Sequence, residues 1–211
     1  MATQDPRAAA GTAPTQRWER RYREALDAAA TAFAEKGFLG ASTGDIADRL
    51  GIRQGSLYYY FSSKEAALSA VCELGTRNLI DQLREILASQ APATAKLRAA
   101  IANHLLPLRS PPNADYSRVF IRHRHELPGG ARQKIAGLAR TYQSLIEQLF
   151  TDGVASGAFR GSLDPKLATL ALLGLCNSVI SARTLPRGLS IDEIVEEYAR
   201  IFIEGVDATG A

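Results

Sequence analysis

Two short helices joined by a tight turn are the feature that most constrains how this chain folds. Ser42 can begin the first helix, because its hydroxyl caps free backbone amides while Asp45, three residues on, bonds back to the cap. Gly51 ends this helix, and a second short helix is predicted over residues 54–60. This spacing is typical of a helix-turn-helix.

Helical periodicity extends along the rest of the chain, and no segment shows sustained strand alternation. Apolar residues three and four apart predict a helix over 17–35, which Gly37 ends in a left-handed conformation. Capping and turn residues predict further helices over 62–88, 94–108, 116–126, 131–155 and 164–183, and a last one after Ser190. The sequence therefore predicts an all-α fold of about nine helices.

Composition excludes few classes of function. The chain has 211 residues, of which 46% are hydrophobic and 22% charged, as in an ordinary globular protein. No run of eighteen apolar residues predicts a membrane span, and residues 1–16 are expected to form a disordered tail and not a signal peptide. Cys72 and Cys176 lie in apolar helical patterns, so we expect reduced, buried thiols in a cytoplasmic protein.

The second short helix carries side chains that suit DNA. Leu57 and Phe61 are expected to complete the core, which leaves polar and aromatic residues facing outward. Hydroxyls and lysines bind phosphates, while Gln54 can pair with adenine and Arg53 with guanine. The outward residues are Arg53, Gln54, Ser56, Tyr58, Tyr59, Tyr60 and Lys64. The alternative is a small helical bundle with a tyrosine-rich corner.

The stretch over residues 33–68 closely resembles the tetracycline-repressor (TetR) family of transcriptional regulators. The matching residues are Gly37-Phe38, Ser42-Thr43, Ile46-Ala47, Gly51-Ile52, Gly55-Ser56-Leu57-Tyr58, Tyr60-Phe61 and Ser63-Lys64-Glu65. Gly44 departs from members that read bases from the first short helix with a long side chain. The remainder of the chain is similar to the family in length and helix layout.

The resemblance implies an N-terminal three-helix helix-turn-helix DNA-binding domain over 17–65 and a C-terminal helical ligand-binding and dimerisation domain over 66–211. It implies base contacts from Gln54 and Tyr59. It implies phosphate contacts from Thr43, Ser56, Tyr58, Tyr60 and Lys64. The expected function is that of a homodimeric repressor that leaves its double-stranded DNA operator when a small effector binds. A helical DNA-binding protein without an effector, and an activator, are the alternatives.

The last two predicted helices are the candidate dimer interface, since two half-sites on DNA require two copies of a helix-turn-helix. They mix bulky and small apolar residues, which allows close approach of helices. The residues expected there are Leu167, Leu170, Gly174, Val179, Ile194 and Tyr198. The alternative is that both faces belong to the core of the monomer.

By resemblance to the family, the effector cavity is expected among the middle helices. The residues expected around it are Leu97, Ile101, His104, Leu105, Arg118, Phe120, Arg122 and Tyr142. Arg118 and Arg122 are four residues apart, so they share a helix face and can hold an anion together. An apolar pocket with a basic rim favours a small hydrophobic or amphipathic anionic ligand, and family members that sense acyl-CoA make a fatty or cyclic acyl-CoA our first candidate. The alternative is that these arginines pair with nearby acids such as Asp115 or face water.

An enzyme is the competing hypothesis from another class. His123 and His125 are two residues apart, so on a helix they point in different directions and cannot chelate one metal ion. The sequence contains no glycine-rich phosphate loop, nucleophile elbow or paired-cysteine motif. We therefore expect no catalytic residue, no metal site and no cofactor, and a binding function in their place.

Overall fold

The computed structural model describes residues 16–182 and 188–206, and within these ranges it contains nine α-helices. They are α1 (Gln16–Gly40), α2 (Thr43–Leu50), α3 (Gln54–Leu57), α4 (Lys64–Ala88), α5 (Ala93–Leu105), α6 (Asn113–His123), α7 (Gly129–Ala155), α8 (Pro165–Ser181) and α9 (Ile191–Val206). Short 3-10 turns at Leu106–Arg109 and Arg124–Glu126 follow α5 and α6. The predicted all-α architecture is confirmed. Apart from Gln16, the tail predicted over 1–16 lies outside the described residues.

The predicted helix starts and stops correspond to observed capping contacts. Ser42 and Asp45 form a reciprocal capping box at the start of α2, and Gly51 ends α2 in the left-handed conformation, with φ of 64°. Asp164 accepts hydrogen bonds from the first amides of α8. Gly37 has φ of 71° and interrupts α1, so that the chain can turn from α1 towards α2.

Several helix boundaries differ from the prediction by a few residues, among them the ends of α3 and α5 and the start of α6. The second short helix ends at Leu57 and not at residue 60, because the amides of Tyr59 and Tyr60 bond to carbonyls three residues back and tighten the chain into turns. The helix predicted to residue 108 ends at Leu105, since Pro107 has no amide hydrogen to continue it. The helix predicted from residue 116 begins at Asn113.

The buried apolar residues form two clusters that meet along α4. One joins α1, α2, α3 and the N-terminal part of α4, and it also takes in Val119 of α6 and Ile135 of α7. The other joins the remainder of α4 to α5, α7, α8 and α9. The change of cluster along α4 falls between Cys72 and Ile80. The domain limits 17–65 and 66–211 remain predictions, and α6 is the helix that packs against both α1 and α8.

Both cysteines are buried free thiols, as predicted. Burial raises the pKa of the Cys72 thiol and of the Cys176 thiol to about 12. Among the described helices, none is both long enough and apolar enough to cross a membrane.

Candidate functional site

The helix-turn-helix is held together by small and apolar residues on the inner faces of α2 and α3. Ile46 and Ala47 are fully buried, and Leu57 and Phe61 are almost fully buried. The ring of Phe61 lies 5.7 Å from the ring of Tyr22 on α1. This packing fixes α3 against α2, so its opposite face is presented to solvent.

Gln54 at the start of α3 is held against α2. Its amide nitrogen donates a hydrogen bond to the Thr43 hydroxyl at 2.8 Å. A Cβ atom at Gly44 would lie 3.9 Å from the Gln54 carboxamide, in ordinary van der Waals contact, so only a longer side chain would compete with this arrangement. The second amide hydrogen and the amide oxygen of Gln54 remain for a base edge, which is the pair of groups that reads adenine.

Lys64 closes the junction between α1 and α2. Its Nζ donates to the carbonyl oxygens of Phe38 at 2.9 Å and Ala41 at 3.0 Å, and it lies 4.5 Å from the centre of the Phe38 ring. An ammonium group has three donors, so the third is available to a phosphate. The structure thus adds a scaffolding role to the phosphate contact that the sequence predicts.

The tyrosines after α3 differ in exposure. Tyr58 and Tyr59 are 56% and 62% exposed, while Tyr60 is partly buried with its ring edge-on to Tyr59. A hydrogen bond from the Arg21 guanidinium to Tyr60 raises the pKa of Arg21. Arg53 and Ser56 are also exposed. The eight residues predicted to bind DNA are therefore accessible or partly accessible, and they surround α3.

Ion pairs fix α2 to the end of α1. Lys36 pairs with Asp45, and Arg49 pairs with Glu35. The Lys36 ammonium and the Ser42 hydroxyl hold the pKa of the Asp45 carboxyl well below its usual range. These contacts position the amino-terminal turn of α2 beside α3.

The middle helices enclose a cavity of about 210 Å³. Its walls come from α4, α5, α6 with its 3-10 turn, α7 and α8, and most of the lining surface is apolar. The lining residues are Gly75, Thr76, Leu79, His104, Tyr116, Ser117, Phe120, Ile121, Arg124, Ala139, Tyr142, Gln143, Leu173, Asn177 and Ile180. A mostly apolar cavity with a few polar groups is the usual form of a small-molecule site.

The structure brings three of the eight predicted effector contacts to this cavity, namely His104, Phe120 and Tyr142. The other apolar ones are placed elsewhere. Leu97, Ile101 and Leu105 are fully buried in the helical core and do not line the cavity. Periodicity shows that such residues face inward, but it does not distinguish a core contact from a cavity wall.

The two arginines predicted to hold an anion also lie away from the cavity. Arg118 is 3.5 Å from the Asp115 carboxylate, and Arg122 donates to the carbonyl oxygen of Ser181 at 3.2 Å. Arg124, which was not in the predicted set, lines the cavity and stacks 4.9 Å from the centre of the Phe120 ring. The sequence shows that residues 117, 120, 121 and 124 are spaced to share one face, whereas packing decides that this face borders the cavity.

A chain of buried polar groups forms the inner part of the cavity. His104 Nδ1 lies 3.0 Å from the Tyr142 hydroxyl, and His104 Nε2 lies 3.2 Å from Asn177 Oδ1. Burial lowers the pKa of His104 to about 4, so its imidazole is neutral at neutral pH. Since Asn177 Oδ1 can only accept, Nε2 carries the proton and Nδ1 accepts from Tyr142.

Tyr116 connects the cavity wall to the first helix. It lines the cavity from α6, and its hydroxyl donates to the Asp27 carboxylate of α1 at 2.8 Å. Burial raises the pKa of Asp27 and of Tyr116. A second bond joins the same helices, from the Thr31 hydroxyl to Asp115 at 2.9 Å. A molecule that displaces Tyr116 in the cavity therefore acts directly on α1.

An apolar face of α8 is exposed. Leu167 and Leu170 are 65% and 57% exposed, and a Cβ at Gly174 would meet nothing within 4 Å in the described chain. Ile201 of α9 is also exposed. Of the other predicted interface residues, Val179 and Ile194 are buried in the chain's own core and Tyr198 packs partly against it. Because Val179 and Ile194 are buried, little of either side chain is accessible to a partner subunit.

Comparisons with known proteins match the N-terminal and the C-terminal parts of the chain separately. A family model of bacterial regulatory proteins, tetR family, matches residues 25–71. A model of the tetracyclin repressor-like C-terminal domain matches residues 90–206. The transcriptional repressor KstR2 of Rhodococcus jostii (strain RHA1) is 29% identical over 189 residues, which are 88% of this chain and 91% of that protein.

Solved structures share the fold along nearly the whole chain. AibR in complex with isovaleryl coenzyme A and operator DNA has a TM-score of 0.75 and 22% identity, over 89% of this chain and 98% of that one. FadR from Bacillus subtilis in complex with stearoyl-CoA has a TM-score of 0.73 and 24% identity, over 88% of this chain and 99% of that one.

Proposed function

Because the chain belongs to the tetR family of bacterial regulatory proteins, we propose that it is a homodimeric transcriptional repressor that leaves its operator when a small effector enters the cavity. The observation that carries this function is the combination of an exposed α3 surface with a partly open cavity between the middle helices in one chain. The protein acts by binding and not by catalysis, in the cytoplasm, and without a cofactor. The similar protein KstR2 is named a repressor.

The chemistry of the cavity favours an acyl-CoA thioester as the effector. Its apolar walls suit an acyl group, and the exposed Arg124 beside it suits an anionic group such as a CoA phosphate. AibR and FadR, which share the fold, have been solved with isovaleryl coenzyme A and with stearoyl-CoA. The basic group of the site is therefore Arg124, in place of Arg118 and Arg122.

The route from the cavity to DNA runs through Tyr116. An acyl group that moves Tyr116 breaks or shifts its bond to Asp27 and so displaces α1, which carries the helix-turn-helix. Two copies of α3 in a dimer must match two half-sites about one helical turn of DNA apart, so a small rotation in each copy weakens binding. The Tyr116→Phe variant should still bind DNA but need a different effector concentration for release.

Operator release measured with a series of acyl-CoA thioesters and the matching free acids tests the effector class. We expect release by thioesters at lower concentration than by free acids, and a loss of this preference in Arg124→Ala. Arg122→Ala is the matched control, because Arg122 is a neighbouring arginine that bonds to Ser181 and does not line the cavity. Equal release by acids and thioesters in the wild type would remove CoA from the proposal and leave an apolar effector.

The exposed face of α8 is the proposed dimer interface. Leu167, Leu170 and Gly174 supply an apolar surface with space for a facing helix, and Ile201 of α9 lies in the same groove as Leu167. Gly174→Arg should leave a folded monomer that no longer binds its operator, which sedimentation and DNA binding would measure together. A wild-type monomer at micromolar concentration would contradict the dimer.

A further inference from the structure

The polar groups inside the cavity have a fixed direction of hydrogen bonding. The Tyr142 hydroxyl donates to His104 Nδ1, and His104 Nε2 donates to Asn177 Oδ1. The single acceptor nitrogen of the neutral imidazole is thereby used. What remains at the end of the chain is the amide nitrogen of Asn177, which can only donate.

The amide N–H groups of Asn177 have no hydrogen-bond acceptor among the described residues. Asn177 is half-buried and lines the cavity, and in the described part of the chain its side chain bonds to His104 alone. The buried hydroxyls of Thr76, Tyr116 and Tyr142 on the wall already donate, to the Cys72 carbonyl oxygen, to Asp27 and to His104, respectively. A polar donor left unpaired against a hydrocarbon would cost binding free energy.

Resting on the acyl-CoA proposal above, we propose that the acyl group of the effector carries a carbonyl oxygen that accepts a hydrogen bond from Asn177. A carbonyl oxygen only accepts, so it matches the Asn177 amide nitrogen, which only donates. The site therefore selects an oxo-substituted acyl group over a plain chain of equal length.

The size of the cavity limits the acyl group. A water molecule takes up about 30 Å³ in the liquid, so a cavity of about 210 Å³ has the volume of about seven water molecules. The group that fits without expansion is thus short, of the order of seven non-hydrogen atoms. Since His104 and Tyr142 are buried whereas Arg124 and Gln143 are exposed, the oxygen belongs at the end of the acyl group that is remote from the CoA.

The test is operator release by two matched pairs of probes, hexanoyl-CoA with 5-oxohexanoyl-CoA and octanoyl-CoA with 7-oxooctanoyl-CoA. We expect the oxo member of the better-fitting pair to release the operator at a concentration about tenfold or more below that of its plain partner. Asn177→Leu keeps a similar volume and removes the donor, so the difference within the pair should disappear.

Asn177→Asp is the second variant, and it guards against a simple loss of folding. It keeps an oxygen to accept from His104 but offers the cavity a carboxylate, which repels a carbonyl, so the oxo probe should lose more than the plain one. Gln143→Leu removes an amide from the exposed mouth and should retain the preference. Thermal unfolding without ligand shows which variants are folded.

Equal release by both members of each pair in the wild type would overturn the proposal and leave the acyl-CoA function standing. A preference for the oxo probe that survives in both Asn177 variants would also overturn it. Release by neither pair, with no thermal stabilisation, would instead overturn the proposed effector class and this inference with it.

Discussion

The side chains proposed to bind DNA lie on and around one four-residue helix, α3, and are mostly exposed, whereas those that line the cavity come from five helices, α4 to α8. Around α3, neighbouring positions in sequence are neighbours in space, because the motif is short and local. At the cavity, His104, Tyr142 and Asn177 meet although they lie far apart along the chain. The first site is thus a property of local sequence, and the second a property of tertiary packing.

The largest expected effect comes from a substitution in the core, which distinguishes a buried core residue from a residue that lines the cavity. Ile101 was predicted to contact the effector but is fully buried away from the cavity. Ile101→Ala should lower the free energy of unfolding by about 2–5 kcal/mol, measured by denaturant titration, because it leaves a void in a packed core. The effector concentration for operator release should change little in the folded fraction.

Leu173→Ala is the matched control for this comparison, since Leu173 lies on the cavity wall and is only partly buried. Compared with Ile101→Ala, this variant should lower the free energy of unfolding less and change the effector concentration for operator release more. The assignment of Ile101 to the core would be wrong if its variant kept wild-type stability and lost the effector response.

These outcomes bear on what the sequence can predict. Capping residues such as Ser42 and Gly51 act on the next few residues, so the helix-turn-helix follows from sequence and is confirmed. The cavity does not follow, because the helix period shows that Leu97 and Tyr142 both face inward but not which of them borders empty space. The choice of Arg124 over Arg122 depends on how α6 is rotated between α1 and α8, which only packing sets.

Low pH should destabilise the folded protein, because burial disfavours protonation of His104. Its pKa is lowered to about 4 in the folded protein from about 6.5 in the unfolded chain, so between these values the unfolded chain binds more protons. Stability is therefore complete above pH 6.5 and falls as the pH drops towards 4, by about 3 kcal/mol for this group.

Denaturant midpoints measured across this pH range in wild type and in His104→Gln would check this. The variant removes the titrating ring and should lose this part of the pH dependence. His125→Gln is the control, because His125 is exposed outside the cavity, and it should keep the wild-type slope. Parallel curves for wild type and His104→Gln would contradict a neutral, buried His104.

Substitution of Lys64 tests whether a residue of the site around α3 also stabilises the fold. Lys64→Met keeps the aliphatic stem against Phe38 and removes the donor to the carbonyls of Phe38 and Ala41. The free energy of unfolding should fall by about 1–3 kcal/mol, and affinity should fall on all DNA sequences with a smaller salt dependence. Arg53→Ala, at an exposed position, should weaken DNA binding with stability unchanged; equal stability of both variants would leave Lys64 with a phosphate role alone.

The smallest effect concerns the contact between Thr43 and Gln54. Thr43→Val has nearly the same shape as the wild type but removes the hydroxyl that accepts from Gln54. Without it Gln54 is free to turn, so discrimination at the base that Gln54 reads should fall by about 0.5–1.5 kcal/mol, less than the 1–3 kcal/mol expected for Gln54→Ala. Binding to the operator and to its single-base variants measures both, with Thr43→Ser as the control that keeps the hydroxyl. A lost phosphate contact at Thr43 lowers the affinity for every DNA sequence equally. Lost orientation of Gln54 instead lowers the ratio of affinities for the operator and for its variant at one base. A uniform loss of affinity with this ratio unchanged would therefore leave Thr43 as a phosphate contact and would show that Gln54 does not depend on it for its orientation.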